Sequence, residues 1–289
     1  MHSAVEQMLD RYGCKTSDDV KNALKEVVQE IALLGLSRSD FFDHAAFYGG
    51  TALRMFYGLD RFSEDLDFSL LKPRPDFQIS VYCDAIRNEL GAYGFEMEVT
   101  TNEKDAGSTI KSAFIKGGTL INMLKVTSVV PPVSGVHRDE ILKIKIEVDV
   151  APPGGAAYEV KYMLRPIPYS VRLFSPSSLF AGKLHAVLCR SWGGNRVKGR
   201  DLYDLVWYVS KEIPVHLSHL AERMIQTGHL KESKSLTSDV LVNMMNEKFR
   251  LIDFKQAKND VLPFVSDPRS LDLWSEEFFH SLAKHMSLK

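Results

Sequence analysis

The amino-acid sequence predicts an α+β protein in which short helices precede a mixed or mostly antiparallel sheet and a helical C-terminal half follows it. Three observations support this order. Helical periodicity recurs before residue 58, two-residue alternation dominates from residue 95 to 164, and helical periodicity returns from Ser175 onward. Helices and strands that occupy separate stretches of a chain are typical of α+β folds.

The longest N-terminal helix is predicted over residues 18–35. Its apolar residues recur at three- and four-residue spacings, Ser17 and Asp18 supply polar side chains at its start, and Gly35 is expected to end it. Four further elements are predicted before residue 95, namely helices over Ser39–Ala46, Gly50–Tyr57 and 77–93 and a strand over Asp65–Leu70.

The sheet is predicted from alternating or β-branched segments, which cover residues 95–100, 108–117, 119–130, 141–150 and 158–164. A capping serine, Ser175, and the proline after it start the next predicted helix. A glycine-rich basic loop is expected over 193–200, and residues 215–289 are expected to be helical. We therefore expect N-terminal helices over 1–46, an α/β core over 47–172 and a helical C-terminal domain over 173–289.

The composition excludes several classes of protein. A chain of 289 residues, 45% of them hydrophobic and 25% charged, can bury its own core without disulfides. Three widely spaced cysteines without a CxxC pair argue against a disulfide scaffold or a thiolate zinc site and favour free thiols in the cytoplasm. The net charge of −1 gives no global nucleic-acid signature, and neither a signal peptide nor a membrane-spanning segment is expected.

A glycine pair followed by an acidic strand is the strongest chemical pattern. Asp65 and Asp67 would point to the same face of the strand, roughly 6–7 Å apart, and two such carboxylates suit Mg²⁺. Gly49 and Gly50 at a helix start would leave backbone N–H groups open to a phosphate, and Thr51 adds a hydroxyl. Either acid alone could be a solvated strand residue, but the combination favours nucleotidyl or phosphoryl transfer.

A third carboxylate is expected from the segment KIKIEVDV. Glu147 and Asp149 share a face of this predicted strand, and we favour Glu147 as the ligand with Asp149 as the alternative. The same face also carries Lys143 and Lys145, so a half-exposed ladder of mixed charges is the competing interpretation. Glu64 lies just before the first acidic strand and is expected to be a solvated bystander.

A basic segment forms the third candidate region. Lys183 lies in a helix with an otherwise apolar face and could reach phosphates as a point charge. Four cations follow it in eleven residues, and these are Arg190, Arg196, Lys198 and Arg200. Asp201 and Asp204 then open a helix, where capping alone could explain Asp201. His185 has no partner at metal-ligand spacing and is expected to serve packing.

The segment GGTALRMFYGLDRFSEDLDFSL resembles the glycine-pair and S-x-D-L-D-F signature of AbiEii/AbiGii-type toxin nucleotidyltransferases, which belong to abortive-infection toxin–antitoxin pairs. Lys183 and the later segment RDLYDL, residues 200–205, resemble the second signature of that family, a lysine followed by R-D-x-x-D-L. The resemblance extends over about residues 20–210. It implies a polymerase-β-like nucleotidyltransferase core, a mixed sheet flanked by helices, with a helical C-terminal domain.

The resemblance also implies roles for residues at the matching positions. The implied catalytic residues are Asp65, Asp67, Glu147, Lys183 and Asp201. The implied nucleotide-binding residues are Gly49, Gly50, Thr51, Ser63, Lys183, Arg200 and Asp204. The implied ligands of Mg²⁺ or Mn²⁺ are Asp65, Asp67 and Glu147, or Asp149 in place of Glu147.

The function expected from these residues is transfer of a nucleotide from an NTP to an acceptor with release of pyrophosphate. The resemblance favours an RNA acceptor, the 3′-hydroxyl of a tRNA, and a cognate antitoxin as partner in phage defence. Two alternatives stay open from the sequence. One is transfer of a nucleotidyl or phosphoryl group to a protein hydroxyl, and the other is a nucleotide- or RNA-binding module without turnover.

Overall fold

The computed structural model describes residues 3–101, 108–118, 139–190, 198–265 and 267–288. The strand predicted over 119–130 and most of the predicted basic loop, including Arg196, lie outside these ranges. Two compact units are present. Met1–Ala52, Ser63–Pro152 and Val160–Leu173 form one, here called the sheet unit, and Leu53–Phe62, Pro153–Glu159 and Phe174–Lys289 form the other, here called the helical unit. The predicted domain bounds at residues 46/47 and 172/173 stay a prediction.

The N-terminal half of the chain contains five helices among its described residues. They are α1 (Ser3–Asp10), α2 (Ser17–Ser37), α3 (Phe41–His44), α4 (Gly49–Tyr57) and α5 (Ser80–Ala92). A capping box starts α2, because the Thr16 side chain accepts from the Asp19 backbone while the Asp19 side chain accepts from the Thr16 backbone. The apolar stripe of α2 is buried as predicted, but Gly35 does not end the helix.

Gly35 lies instead where α2 packs closely on α5. A Cβ atom at Gly35 would lie 2.9 Å from the carbonyl oxygen of Ala85, a distance too short for any larger residue. The glycine therefore allows two helix backbones to approach each other, and α2 continues to Ser37.

Seven strands of the described part of the chain form one mixed sheet, which confirms the predicted fold class. They are β1 (Ala45–Tyr48), β2 (Leu66–Leu70), β3 (Glu98–Thr101), β4 (Ile110–Gly118), β5 (Ile141–Asp149), β6 (Tyr158–Met163) and β7 (Tyr169–Phe174). Their order is β3-β4-β5-β2-β1-β7-β6. Strand β2 is antiparallel to β1 and parallel to β5, and β4 is antiparallel to both β3 and β5.

The prediction of one helix over Ser39–Ala46 is wrong in its second part. The helix ends at His44, and Ala45 begins strand β1, which hydrogen-bonds to β2 on one side and to β7 on the other. Alanine favours helices in isolation, but pairing with two strands and complete burial outweigh this weak local preference.

Aromatic side chains fix strand β2 in the sheet unit. The ring of Phe68 lies edge-on to Phe41 at 4.9 Å between centroids and is tilted against Phe47 at 5.0 Å. All three rings are fully buried. Burial of each contributes about 1.5–3 kcal/mol. Because neighbouring residues of a strand point to opposite faces, this packing turns Asp67 to the other face of the sheet.

Helices dominate the chain after β7, as predicted. They are α6 (Pro176–Cys189), α7 (Gly199–Ser210), α8 (Leu217–Gln226), α9 (Ser238–Phe249), α10 (Phe254–Val261) and α11 (Glu276–Lys284), with short 3₁₀ turns between α8 and α11. Ser175 caps α6, as predicted, by accepting a hydrogen bond from the Ser178 backbone. The rings of Phe180 in α6 and Tyr208 in α7 stack at 4.4 Å. None of the helices in the described ranges is long and apolar enough to span a bilayer.

Candidate active site

Two acidic strands lie side by side in the sheet unit. Strands β2 and β5 are parallel neighbours, and their register pairs Asp67 with Glu147 and Ser69 with Asp149. Residues that are paired across neighbouring strands point to the same face of a sheet. The structure therefore brings the Asp67 and Glu147 side chains together. Asp149 lies one pair further along, where its carboxylate accepts a hydrogen bond from the Ala151 backbone at 3.0 Å and shapes the end of β5.

Asp65 extends the acidic group at the start of β2. It is exposed and lies one residue before the strand, whereas Asp67 and Glu147 are half-buried. The ammonium of Lys145 is hydrogen-bonded to Glu147. That hydrogen bond, together with the charges of Glu147, Asp65 and Asp67, raises the pKa of Lys145 above its ordinary value, although burial opposes the shift. The negative electrostatic potential of Asp65, Asp67 and Glu147 thus favours a cation. Their carboxylate oxygens are suitable ligands for a hard divalent metal such as Mg²⁺.

Gly49 lies against the carboxylate of Asp67. Its φ angle is +84°, in the region that favours glycine, and it forms the first residue of α4. A Cβ atom at Gly49 would lie 2.5 Å from Asp67 Oδ2. Gly49 therefore allows the start of α4 to approach the Asp67 carboxylate, while Gly50 lies half-buried in the first turn of the helix.

Thr51 ties the start of α4 to the segment before β2. Its side chain is buried, and its hydroxyl donates a hydrogen bond to the backbone carbonyl oxygen of Asp65. This contact uses the hydroxyl proton to hold Asp65 in place. The predicted contact of Thr51 with a phosphate stays a prediction. Its hydrogen bond to the Asp65 backbone indicates that Thr51 also holds the segment before β2 in place.

The loop before β2 is held by helix α2. The amide of Gln29 donates to the carbonyl oxygens of Ser63 at 3.2 Å and Glu64 at 2.8 Å, and Lys25 pairs with Glu64 at 3.0 Å. The Glu64 side chain is thus 37% exposed and paired with Lys25, and the expectation that it takes no part in the chemistry stays a prediction. Gln29 is fully buried and was not among the predicted site residues. A glutamine within an apolar helix face indicates a buried side chain that needs hydrogen-bond partners.

Lys183, Asp201 and Asp204 belong to the helical unit and form a mostly buried ionic cluster with Arg61 and Arg190. Lys183 Nζ lies 2.7 Å from Asp201 Oδ1 and 2.8 Å from Asp204 Oδ2. Arg61 binds Asp204 through two hydrogen bonds, from Nε at 2.6 Å and Nη2 at 2.7 Å. Arg190 binds the other oxygen of Asp201 at 3.0 Å. The bidentate, buried pair of Arg61 and Asp204 is geometrically specific.

The charges of this cluster stabilise one another. Burial alone would lower the pKa of Lys183, but the charges of Asp201 and Asp204 outweigh it and raise that pKa. Burial would raise the pKa of Asp201, but Lys183 and Arg190 lower it. Capping does not explain Asp201, because α7 has no side-chain hydrogen bond at its N-cap and the Asp201 carboxylate binds cations instead.

Arg61 was not predicted as a site residue, although it lies between the glycine pair and Asp65 in the first signature. Its partner Asp204 is 143 residues away in the chain, so no local pattern reveals the pair. Arg200, a predicted nucleotide contact, has its guanidinium over the ring of Phe264 at 4.4 Å. Lys198 is exposed.

Comparison with known proteins gives a family and two similar structures. Residues 31–279 match the family described as "Nucleotidyl transferase AbiEii toxin, Type IV TA system". A candidate nucleotidyltransferase of Helicobacter pylori is 18% identical, with a TM-score of 0.43 over 89% of this chain and 90% of that one. The protein JHP933 of Helicobacter pylori is 20% identical, with a TM-score of 0.46 over 90% of this chain and 89% of that one. The comparison with curated proteins gave no match.

The family match spans both acidic strands, the glycine pair and the ionic cluster of the helical unit, and it confirms the resemblance and the enzyme class expected from the sequence. The chain belongs to the AbiEii family of nucleotidyl transferase toxins, the toxins of a type IV toxin–antitoxin system.

Proposed function

We propose that the chain transfers a nucleotide from an NTP to an RNA 3′-hydroxyl in a reaction that depends on Mg²⁺ or Mn²⁺. The observation that carries the proposal is the register of β2 and β5, which pairs Asp67 with Glu147 on one face of the sheet, next to Asp65. Three carboxylates on or directly before two neighbouring strands are a donor set suited to two-metal nucleotidyl transfer.

Asp65, Asp67 and Glu147 would hold the metal ions. When bound, divalent cations neutralise the triphosphate and lower the pKa of the attacking hydroxyl. The Asp65, Asp67 and Glu147 side chains would set the positions of these cations. A carboxylate oxygen of Glu147 would accept the proton of the attacking hydroxyl. The acceptor oxygen forms a bond to the α-phosphorus, the bond from the α-phosphorus to the bridging oxygen breaks, and pyrophosphate leaves with that electron pair.

The phosphate contacts are proposed for two groups of residues. Gly49 and Gly50 open α4, and the backbone N–H groups of a helix start favour anions. Thr51, Ser63, Lys183, Arg200 and Asp204 are also proposed to bind the nucleotide, and Asp201 is proposed as a catalytic residue. Support for Lys183, Arg200, Asp201 and Asp204 comes from the second sequence signature, a lysine followed by R-D-x-x-D-L, which these residues match.

The proposed acceptor is RNA, with a tRNA 3′-hydroxyl as the specific candidate. The support for this is the family, whose members are nucleotidyl transferase toxins. Membership of a toxin–antitoxin family also supports a cognate antitoxin as partner. The three cysteines are free thiols, which supports the proposal that the protein works in a reducing compartment, the cytoplasm.

A transfer assay with labelled NTPs, Mg²⁺ and total RNA tests the proposal. We expect wild type to place label on RNA, and we expect Asp67→Asn to place none. Asp76→Asn is the matched control, because Asp76 is an exposed carboxylate with 83% of its side chain accessible, and it should transfer label at the wild-type rate. Label that resists ribonuclease and migrates with protein would instead identify a protein hydroxyl as acceptor. NTP binding without any transfer would identify a binding module.

A further inference from the structure

We propose that His185, Cys189 and His229 form a second metal site, in the helical unit, for a divalent cation of the zinc class. Each residue offers one ligand atom, and these atoms all lie within 4.8 Å of one another. The site shares no residue with the carboxylate group of the sheet unit. Two imidazoles and one thiolate also differ in chemistry from an all-carboxylate site.

Helix α6 supplies two of the three ligands. His185 and Cys189 are four residues apart, so their side chains lie on one face of the helix in successive turns. Both are half-buried, in the last two turns of the helix. This spacing brings an imidazole and a thiol together without any contribution from the rest of the fold.

The end of helix α8 supplies the third ligand. Gly228 has a φ angle of +74°, and its N–H donates to the carbonyl of Ile225 at 3.0 Å. The N–H of His229 donates to the carbonyl of Met224 at 2.8 Å. These two bonds define a Schellman motif, which fixes the chain direction after a helix. The backbone of His229 is therefore held in position before any metal binds.

Thr227 links the two imidazoles. Its Oγ1 lies 3.0 Å from His185 Nε2 and 2.9 Å from His229 Nδ1, and its hydroxyl donates to the carbonyl of Arg223 at 3.0 Å. Imidazole ligands of metals are commonly restrained by such a polar partner. The rings of His185 and His229 are thus restrained from a shared point, at a centroid separation of 6.3 Å.

The ligand separations are close to those that zinc needs. Zinc binds imidazole nitrogen at about 2.0–2.1 Å and thiolate sulfur at about 2.3 Å in a tetrahedron, which sets ligand atoms roughly 3.3–3.6 Å apart. The ligand atoms lie at most 4.8 Å apart, so side-chain shifts of about 1 Å would bring them to the separations that zinc needs. His229 is exposed, so water can reach the fourth position.

The proposed site departs from two expectations from the sequence. Cysteine spacing argued against a thiolate zinc site, but it takes no account of histidines that tertiary structure brings to a single cysteine. His185 was expected to serve packing because no partner at metal-ligand spacing was recognised, although Cys189 lies four residues further on and His229 is also near.

Cobalt titration of the metal-free, tag-free full-length protein tests the site. We expect about one equivalent of Co²⁺ to produce a thiolate-to-cobalt charge-transfer band, and we expect Zn²⁺ to displace it. Cys189→Ser should lose the band, and His229→Ala should weaken Co²⁺ binding by at least about tenfold. His44→Ala is the matched control, because His44 is a histidine of the sheet unit with 41% of its side chain exposed, and it should bind like wild type.

The band also separates this proposal from the proposed catalytic metals. Cobalt bound by Asp65, Asp67 and Glu147 has no sulfur ligand, so Asp67→Asn should keep the band even where nucleotidyl transfer is lost. Three results would overturn the proposal, namely no thiolate band in wild type, a band that persists in Cys189→Ser, and wild-type affinity in His229→Ala. Circular dichroism of each metal-free variant checks folding. Because His229 is exposed and Cys189 is half-buried, His229→Ala should disturb the fold less than Cys189→Ser.

Discussion

Replacement of Gly49 by alanine should abolish most nucleotidyl transfer with only a modest loss of stability. The new Cβ atom would lie 2.5 Å from Asp67 Oδ2, which is 0.9 Å short of the 3.4 Å at which ordinary contact begins. The carboxylate must therefore move by about that distance. A shift of about 1 Å in a catalytic group can cost roughly 100-fold in rate. The φ angle of +84° adds about 1–2 kcal/mol of backbone strain for alanine.

Gly58→Ala is the control for that prediction. Gly58 has a φ angle of +80°, so alanine meets similar backbone strain, but no atom lies within 4 Å of its Cβ position. Chemical denaturation should show a loss of about 1–2 kcal/mol in the free energy of unfolding for both variants. The transfer assay should show a loss of about 100-fold for Gly49→Ala alone. Wild-type transfer by Gly49→Ala, or equal loss in both variants, would refute the reasoning.

Three further predictions concern stability. Asp204→Ala removes the carboxylate that Arg61 and Lys183 share and leaves both cations buried. It should lower the free energy of unfolding by about 3–5 kcal/mol. A loss below about 1 kcal/mol in urea denaturation would contradict this. Thr16→Ala removes one half of the capping box of α2 and should cost about 1 kcal/mol in the same measurement. Glu30→Gln should be more stable than wild type at pH 8, by a margin that shrinks toward pH 4.5.

The sign of the Glu30 prediction follows from its pKa. Burial raises the pKa of Glu30 to about 7, against the charge of Arg11, from an ordinary value of 4.5. Between pH 4.5 and 7, Glu30 ionises in the unfolded chain but stays largely protonated in the folded one. The free energy of unfolding therefore falls by up to about 3 kcal/mol as the pH rises through this range. Glutamine stays neutral throughout. Parallel stability–pH profiles for wild type and Glu30→Gln would contradict this interpretation.

Local patterns predicted much of the fold. The buried stripe of α2, the Ser175 cap of α6 and the alternation of β5 are all set by residues close in sequence, so they could be predicted from one chain. Gly35 was misjudged because its role depends on the backbone of α5, which local sequence does not show. The strand β7 was not predicted, although Tyr169, Val171 and Leu173 alternate with polar residues over its short length.

Part of the candidate site could likewise be predicted from local sequence, and part depends on tertiary structure. Strand periodicity alone indicated that Asp65 and Asp67 share a face. The position of Glu147 beside Asp67 depends on the order of strands in the sheet, since β5 pairs with β2 across nearly 80 intervening residues. Sequence spacing favoured Glu147 but left Asp149 as an alternative for that reason, whereas the register pairs Glu147, and not Asp149, with Asp67.

The central claim is that the carboxylates of β2 and β5 hold the metals for nucleotidyl transfer. The rate of label transfer by Glu147→Gln, as a function of Mg²⁺ concentration and beside Asp149→Asn, tests this most directly. We predict that Glu147→Gln loses transfer by at least about 100-fold at every Mg²⁺ concentration while circular dichroism and the unfolding midpoint stay near those of wild type. Asp149→Asn should keep most of its activity. Wild-type transfer by Glu147→Gln, with transfer lost in Asp149→Asn, would contradict the claim that Glu147 completes the site.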